Sequence, residues 1–222
     1  MPDIEITASD GKTIGAYLAM PDAKPRGGVI VIQEIFGVNE HIRDVCDRMA
    51  AEGYAAIAPA IFDRMHKNFQ SGYSPEEIER ARAMMPNFDI DACMLDVEAA
   101  RKRVAEYGKV GIVGFCLGGT IAFLGATRLP GISAASCYYG RMNQQFADEK
   151  PHCPAQLHYG ELDEAIPPEN YEDVRRRRPD MEFYLYENAD HGFNCDHRPS
   201  YHPEAAKLAW SRTIDMFRKN LD

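Results

Sequence analysis

The sequence predicts an α/β fold, a mostly parallel central sheet with helices on both faces, built as one domain over residues 1–222. Three observations predict it. Short, almost wholly apolar runs alternate with longer segments of helical spacing. The runs themselves carry few polar residues, as strands covered on both faces do. The chain has 222 residues, of which 45% are hydrophobic and 27% charged. That leaves room for a full core and none of the composition of a disordered chain.

The elements follow in order. Residues 4–7 and 14–19 read as an opening antiparallel hairpin that turns at Ser9-Asp10-Gly11. Apolar runs at 28–32, 55–58, 110–113, 132–138, 155–159 and 182–186 read as six strands buried on both faces. Helical segments fall between them, at 39–52, 91–106 and 117–128, with 201–219 closing the chain. In 91–106 the apolar positions Met94, Val97, Ala100 and Val104 keep helical spacing; the last helix carries Leu208, Trp210, Ile214 and Phe217. Residues 62–88 interrupt the rhythm. There Ser74-Pro75-Glu76-Glu77 combines an N-cap, a first-turn proline and a third-position glutamate, which predicts a short helix over 75–85. That excursion reads equally as a cover over a site and as a plain connection.

A net charge of −9 gives no general attraction to nucleic acid or to an anionic membrane. The one basic run, Arg175-Arg176-Arg177-Arg178, follows Pro168, Glu169, Glu172 and Asp173. Acids opening a helix and arginines closing it complement the helix dipole, so the run reads as a solvated helix end. Residues 1–12 show neither signal nor transit peptide, and no window approaches the roughly 20 apolar residues of a membrane span. A cytoplasmic protein is expected. The six cysteines are scattered without a C-x-x-C pair, as befits reduced thiols. A monomer is expected; a homo-oligomer stays open.

One cysteine has unusual neighbours. An apolar strand leads into Gly114-Phe115-Cys116-Leu117-Gly118-Gly119, and an apolar helix follows. This is the strand–elbow–helix context of a nucleophile in an α/β-hydrolase fold. Side chains two residues before and after the nucleophile would collide, hence Gly114 and Gly118. The turn aims the thiol out of the sheet's carboxyl edge, and the next helix points its N-terminus at the site. The alternative is an inert buried cysteine in a tight glycine turn.

A thiol nucleophile needs a base and the base an orienting acid. His191, in Ala189-Asp190-His191-Gly192-Phe193, lies between the last strand and the last helix. Asp163 lies in the loop after the preceding strand, with Glu161, Glu164 and Asp190 as rivals. Cys116, Asp163 and His191 then keep the nucleophile–acid–base order of this fold. His191, Cys195, Asp196, His197 and His202 cluster in sequence but lack a metal-binding spacing, so neither metal nor cofactor is expected.

At these residues the chain resembles the dienelactone hydrolase (carboxymethylenebutenolidase-like) family. The resemblance rests on residues 33–39 (Gln-Glu-Ile-Phe-Gly-Val-Asn), on the 114–119 elbow and on Asp190-His191-Gly192-Phe193, and spans nearly the whole chain. It implies a Cys116–His191–Asp163 triad and an oxyanion hole from the backbone N–H groups of Leu117 and Ile35. It further implies that Glu34 contacts the thiol and takes part in activation on substrate binding. The family's two carboxylate-binding arginines fall at Ile78 and Cys195 here, with Arg80, Arg82 and Arg198 nearby; these three and Phe36 are the candidate substrate contacts. The expected activity is hydrolysis of a small-molecule lactone or carboxylic ester through a thioester. A general esterase or thioesterase, a non-catalytic binding protein of the same fold and a peroxide-sensing thiol protein are the alternatives.

Overall fold

The computed structural model describes residues 4–222. Eight strands form one sheet: β1 (Ile4–Thr7), β2 (Thr13–Ala19), β3 (Gly28–Ile32), β4 (Ala55–Pro59), β5 (Val110–Phe115), β6 (Ile132–Tyr138), β7 (Ala155–Gly160) and β8 (Glu182–Tyr186). Their order is β1-β2-β4-β3-β5-β6-β7-β8. β1 and β2 pair antiparallel, β2 pairs antiparallel with β4, and every other pair is parallel. The order doubles back after β3 and then runs outward from β5, so the carboxyl ends of β3 and β5 flank the switch point where open α/β sheets bind ligands.

Six helices accompany the sheet: α1 (Glu40–Ala51), α2 (Pro75–Arg82), α3 (Ile90–Val104), α4 (Leu117–Arg128), α5 (Pro168–Arg177) and α6 (Pro203–Leu221). Helices α1 and α6 share one face, joined where Arg48 lies over the Trp210 ring at 4.0 Å. Helices α3 and α4 touch each other on the opposite face. The starts of the helices follow their caps. Asn39 accepts from the Ile42 N–H, Ser74 and Glu77 form a reciprocal capping box, and Asp89 accepts from Ala92. Helix α4 is buried from Leu117 to Thr127, which its almost wholly small or apolar sequence allows.

Three expectations change. β8 is an edge strand: Glu182 and Leu185 are exposed and only Tyr186 is buried, because no strand pairs on its outer side. Leu208 of α6 is exposed. The predicted helix over 75–85 ends at Arg82 and resumes as a 3₁₀ turn at Met85–Asn87. The arginine run matches its reading in part. Arg175 and Arg176 pair with Glu172 and Asp173 on the helix surface, whereas Arg177 and Arg178 tie α5 to the loop at 144–149. Among the described residues no helix is long and apolar enough to cross a membrane.

His158, in mid-strand, shows what a structural histidine looks like. Burial holds its pKa down at about 3, and its ring is satisfied by Ser136 and Tyr186 at 3.1 and 2.8 Å.

Candidate active site

Cys116 caps the N-terminus of α4 with φ 56° and ψ −113°, a left-handed conformation that non-glycine residues rarely adopt. Such strain costs about 1–3 kcal/mol and persists only where the surroundings over-determine it. They do so here. The Cys116 N–H donates to the Tyr138 carbonyl at 3.1 Å, fixing the turn to β6. A Cβ on Gly114 would lie 1.9 Å from the Gly118 carbonyl oxygen, and one on Gly118 would lie 2.4 Å from that of Ile32. Both positions therefore exclude any side chain, for the steric reason the elbow spacing implies. Gly114→Ala is expected to lose about 3 kcal/mol or more of stability. Denaturant unfolding checks this, and an unchanged midpoint would contradict the steric account.

His191 and Asp163 come from the loops after β8 and β7. The Leu162 N–H donates to the Ala189 carbonyl at 2.8 Å, zipping the two loops together. Gly160 permits the approach, since a Cβ there would meet the Ala189 oxygen at 2.4 Å. His191 Nδ1 donates to Asp163 Oδ2 at 2.7 Å, and the other Asp163 oxygen accepts from the Ala165 N–H at 2.9 Å. Asp163 is buried, whereas Glu161 binds the Asn188 N–H and Asp190 the N–H of His191 itself. Of the rival carboxylates, none of these reaches the ring. With Nδ1 committed as a donor, Nε2 is left to serve the cavity.

Burial alone would pull the His191 pKa down. The negative charge Cys116 can carry and the hydrogen-bonded Asp163 carboxylate outweigh it, and the value rises from 6.5 to about 10. A folded-state pKa above the unfolded one gives stability that is complete below pH 6.5 and lost as pH climbs through about 10. Denaturant titrations across that window should show this loss, and a smaller one in Cys116→Ala; equal profiles would contradict the coupling.

Cys116 and His191 face a cavity of about 570 Å³, which Ile35, Phe36 and Leu117 also line. That size suits a small organic molecule. Leu117 is the first residue of α4, where N–H groups have no intrahelical acceptor. Helix α2 and the turn after it form one wall through Ile78, Arg82 and Met85, so part of the 62–88 excursion lines the cavity.

The candidate arginines separate. Arg198 and Arg82 line the cavity. Arg80 does not, which corrects its candidacy. Ile78 and Arg82, four residues apart, share one helical face, while Arg80 points the other way, onto Ser71 Oγ at 3.2 Å and over Phe69.

Glu34 is buried, but its oxygens bind Arg198 Nη1 and the Tyr73 hydroxyl, each at 3.1 Å. Among the described residues no hydrogen bond joins Glu34 to Cys116, and the carboxylate is held by these two partners instead. A buried carboxylate needs such pairing.

Sequence reasoning passed over Tyr73 and Arg141. Arg141 follows β6 at the same sheet edge as Cys116 and lines the cavity. The Met142 N–H donates to Thr120 Oγ1 at 3.2 Å, which pins this loop to the first turn of α4. Its place just past a parallel strand was the one available signal.

The dienelactone hydrolase family model matches residues 14–221. A Synechocystis protein named as a candidate carboxymethylenebutenolidase is 38% identical, with 94% of this chain and 92% of that protein covered. A protein of the same name from Escherichia coli K12 is 34% identical, covering 95% of this chain and 84% of its own. The crystal structure of a candidate dienelactone hydrolase from Klebsiella pneumoniae superposes with a TM-score of 0.86 at 33% identity, over 97% of this chain and 98% of that one.

Proposed function

The chain belongs to the dienelactone hydrolase family, and on that premise we propose that it opens lactones or cleaves carboxylic esters by acyl transfer through a Cys116–His191–Asp163 triad. The observation that carries this reading is the 2.7 Å contact from Asp163 to His191, whose ring stands with Cys116 at the mouth of an elbow built to present a sulfur.

The Cys116 thiolate attacks the acyl carbon, and negative charge moves onto the carbonyl oxygen. The N–H groups of Leu117 and Ile35 stabilise that oxyanion. The carbon–oxygen bond to the leaving group breaks, and the leaving oxygen takes the proton from His191 Nε2. The neutral imidazole then removes a proton from water, which attacks the thioester. The carbon–sulfur bond breaks and the thiolate returns. Asp163 holds the ring in one orientation throughout.

Arg82 and Arg198, paired with Glu79 and Glu34, and Arg141 bring guanidinium groups to an otherwise largely apolar cavity lining, which favours substrates that carry a carboxylate away from the reacting carbonyl. A carboxylate on Arg198 competes with Glu34 for the same guanidinium. A lactone and an ester series, each with and without a distal carboxylate, tests the reading. Anionic members should win in kcat/KM, and iodoacetamide labelling of Cys116 should abolish all turnover. Arg141→Gln is expected to raise KM for the anionic members by roughly tenfold, the worth of one charged hydrogen bond, and to leave neutral p-nitrophenyl acetate unaffected. Activity that survives complete labelling of Cys116 would sink the proposal.

A further inference from the structure

His41 presents a problem that the proposed chemistry does not solve. It is buried on α1, 1% exposed, packed edge-on against Phe115, and neither ring nitrogen has a hydrogen-bond partner among the described residues. A buried imidazole left unsatisfied is costly and calls for an explanation. Its Nδ1 lies 3.3 Å from Asp196 Oδ1, near enough for electrostatic attraction but off the line of a hydrogen bond. Around it the donors continue. Asp196 Oδ1 is 3.8 Å from His197 Nε2, and His197 Nε2 is 3.6 Å from Asp44 Oδ2.

We propose that His41, Asp196 and His197 form a binding site for a divalent transition cation, with Asp44 next to His197 at its edge. The site sits at the seam between α1 and the loop that carries His191. The ligand atoms of His41, Asp196 and His197 all lie within 4.8 Å of one another. Ligands about 2.0–2.1 Å from a tetrahedral zinc stand roughly 3.3–3.4 Å apart. Asp196 Oδ1 stands 3.3 Å from His41 Nδ1 and 3.8 Å from His197 Nε2, so drawing the three ligands in from within 4.8 Å would reach that. Two imidazoles with carboxylates suit zinc, cobalt or nickel better than calcium or magnesium, which prefer oxygen throughout. Asp44, Asp196 and His197 are exposed or partly so, which gives a cation its way in.

A second set, Glu34, His41 and Cys195, also lies within 4.8 Å. It is the weaker site. The Arg198 guanidinium already neutralises Glu34 at 3.1 Å and would repel a second cation there. In the outer set the carboxylates of Asp196 and Asp44 pair with the histidines themselves. A metal held at Asp196 and His197 staples the segment that ends in Arg198 onto α1, so it stabilises the fold next to the catalytic loop without touching substrate. The spacing in the sequence conceals the site, because His41 and Asp44 lie far from Asp196 and His197 along the chain.

The test is titration of the full chain with Zn²⁺ by calorimetry and with Co²⁺ by visible absorption, in the unaltered protein and in Cys116→Ser, which removes the competing thiol. Expected are one equivalent bound in both, a four-coordinate Co²⁺ spectrum and a Tm that rises with free Zn²⁺. His197→Ala and Asp196→Asn, both at exposed positions, should each weaken binding by roughly tenfold or more. They should keep the metal-free esterase rate. No binding, or binding that both substitutions leave unchanged, would overturn the proposal.

Discussion

Cys116→Ala is expected to lower kcat by at least about 10,000-fold, because removing the nucleophile of a triad leaves only binding and oxyanion stabilisation. The substitution isolates the sulfur. Alanine keeps the Cβ, so the turn at φ 56° bears the same strain, and the Cys116 N–H still reaches the Tyr138 carbonyl. Gly114 and Gly118 remain in contact beneath it. The fold should therefore persist, and circular dichroism with a Tm close to that of the unaltered protein would show that only chemistry was lost. Turnover of p-nitrophenyl acetate is the readout. A loss below tenfold would mean that another group attacks the carbonyl, and the elbow would then be a tight turn and nothing more.

Asp163→Asn is expected to cost about 1,000- to 10,000-fold in kcat, by way of the histidine. The side chain keeps its shape, and its oxygen can still accept from the Ala165 N–H as Asp163 does at 2.9 Å. Its amide, however, would present hydrogens to Nδ1, where a carboxylate now accepts at 2.7 Å. The ring must then accept at Nδ1 and carry its proton on Nε2, the wrong tautomer for taking a proton from water. The charge that helps raise the imidazole pKa to about 10 also disappears. The pH profile of kcat/KM should shift as well as the rate falling, which a purely structural defect would not produce. A loss under tenfold with the same profile would hand the orienting role to another carboxylate.

Much of this was legible in the chain because each piece depends on local chemistry. Apolar runs marked the strands, Ser74 through Glu77 marked a helix start, and glycines on either side of Cys116 marked the elbow. What escaped depends on where elements meet. The apolar run of β8 looked like a buried strand because edge position is a property of the sheet and not of the run. Arg80 and Arg82 were indistinguishable until the helical phase set one on Ser71 and the other on the cavity. The resemblance implied a thiol as the partner of Glu34, whereas its hydrogen bonds go to Arg198 and Tyr73. Tyr73 reaches it because Ser71 N–H bonds the Phe36 carbonyl and Gly37 lets the two segments touch. None of those approaches leaves a trace in spacing.

The most direct measurement is peptide mapping by mass spectrometry after rapid acid quench of the enzyme with p-nitrophenyl acetate. The account predicts an acetyl group on the peptide that contains Cys116, formed within one turnover and absent from Cys116→Ala. Acetylation at a different residue, or full turnover with no covalent acyl group at any time, would contradict it.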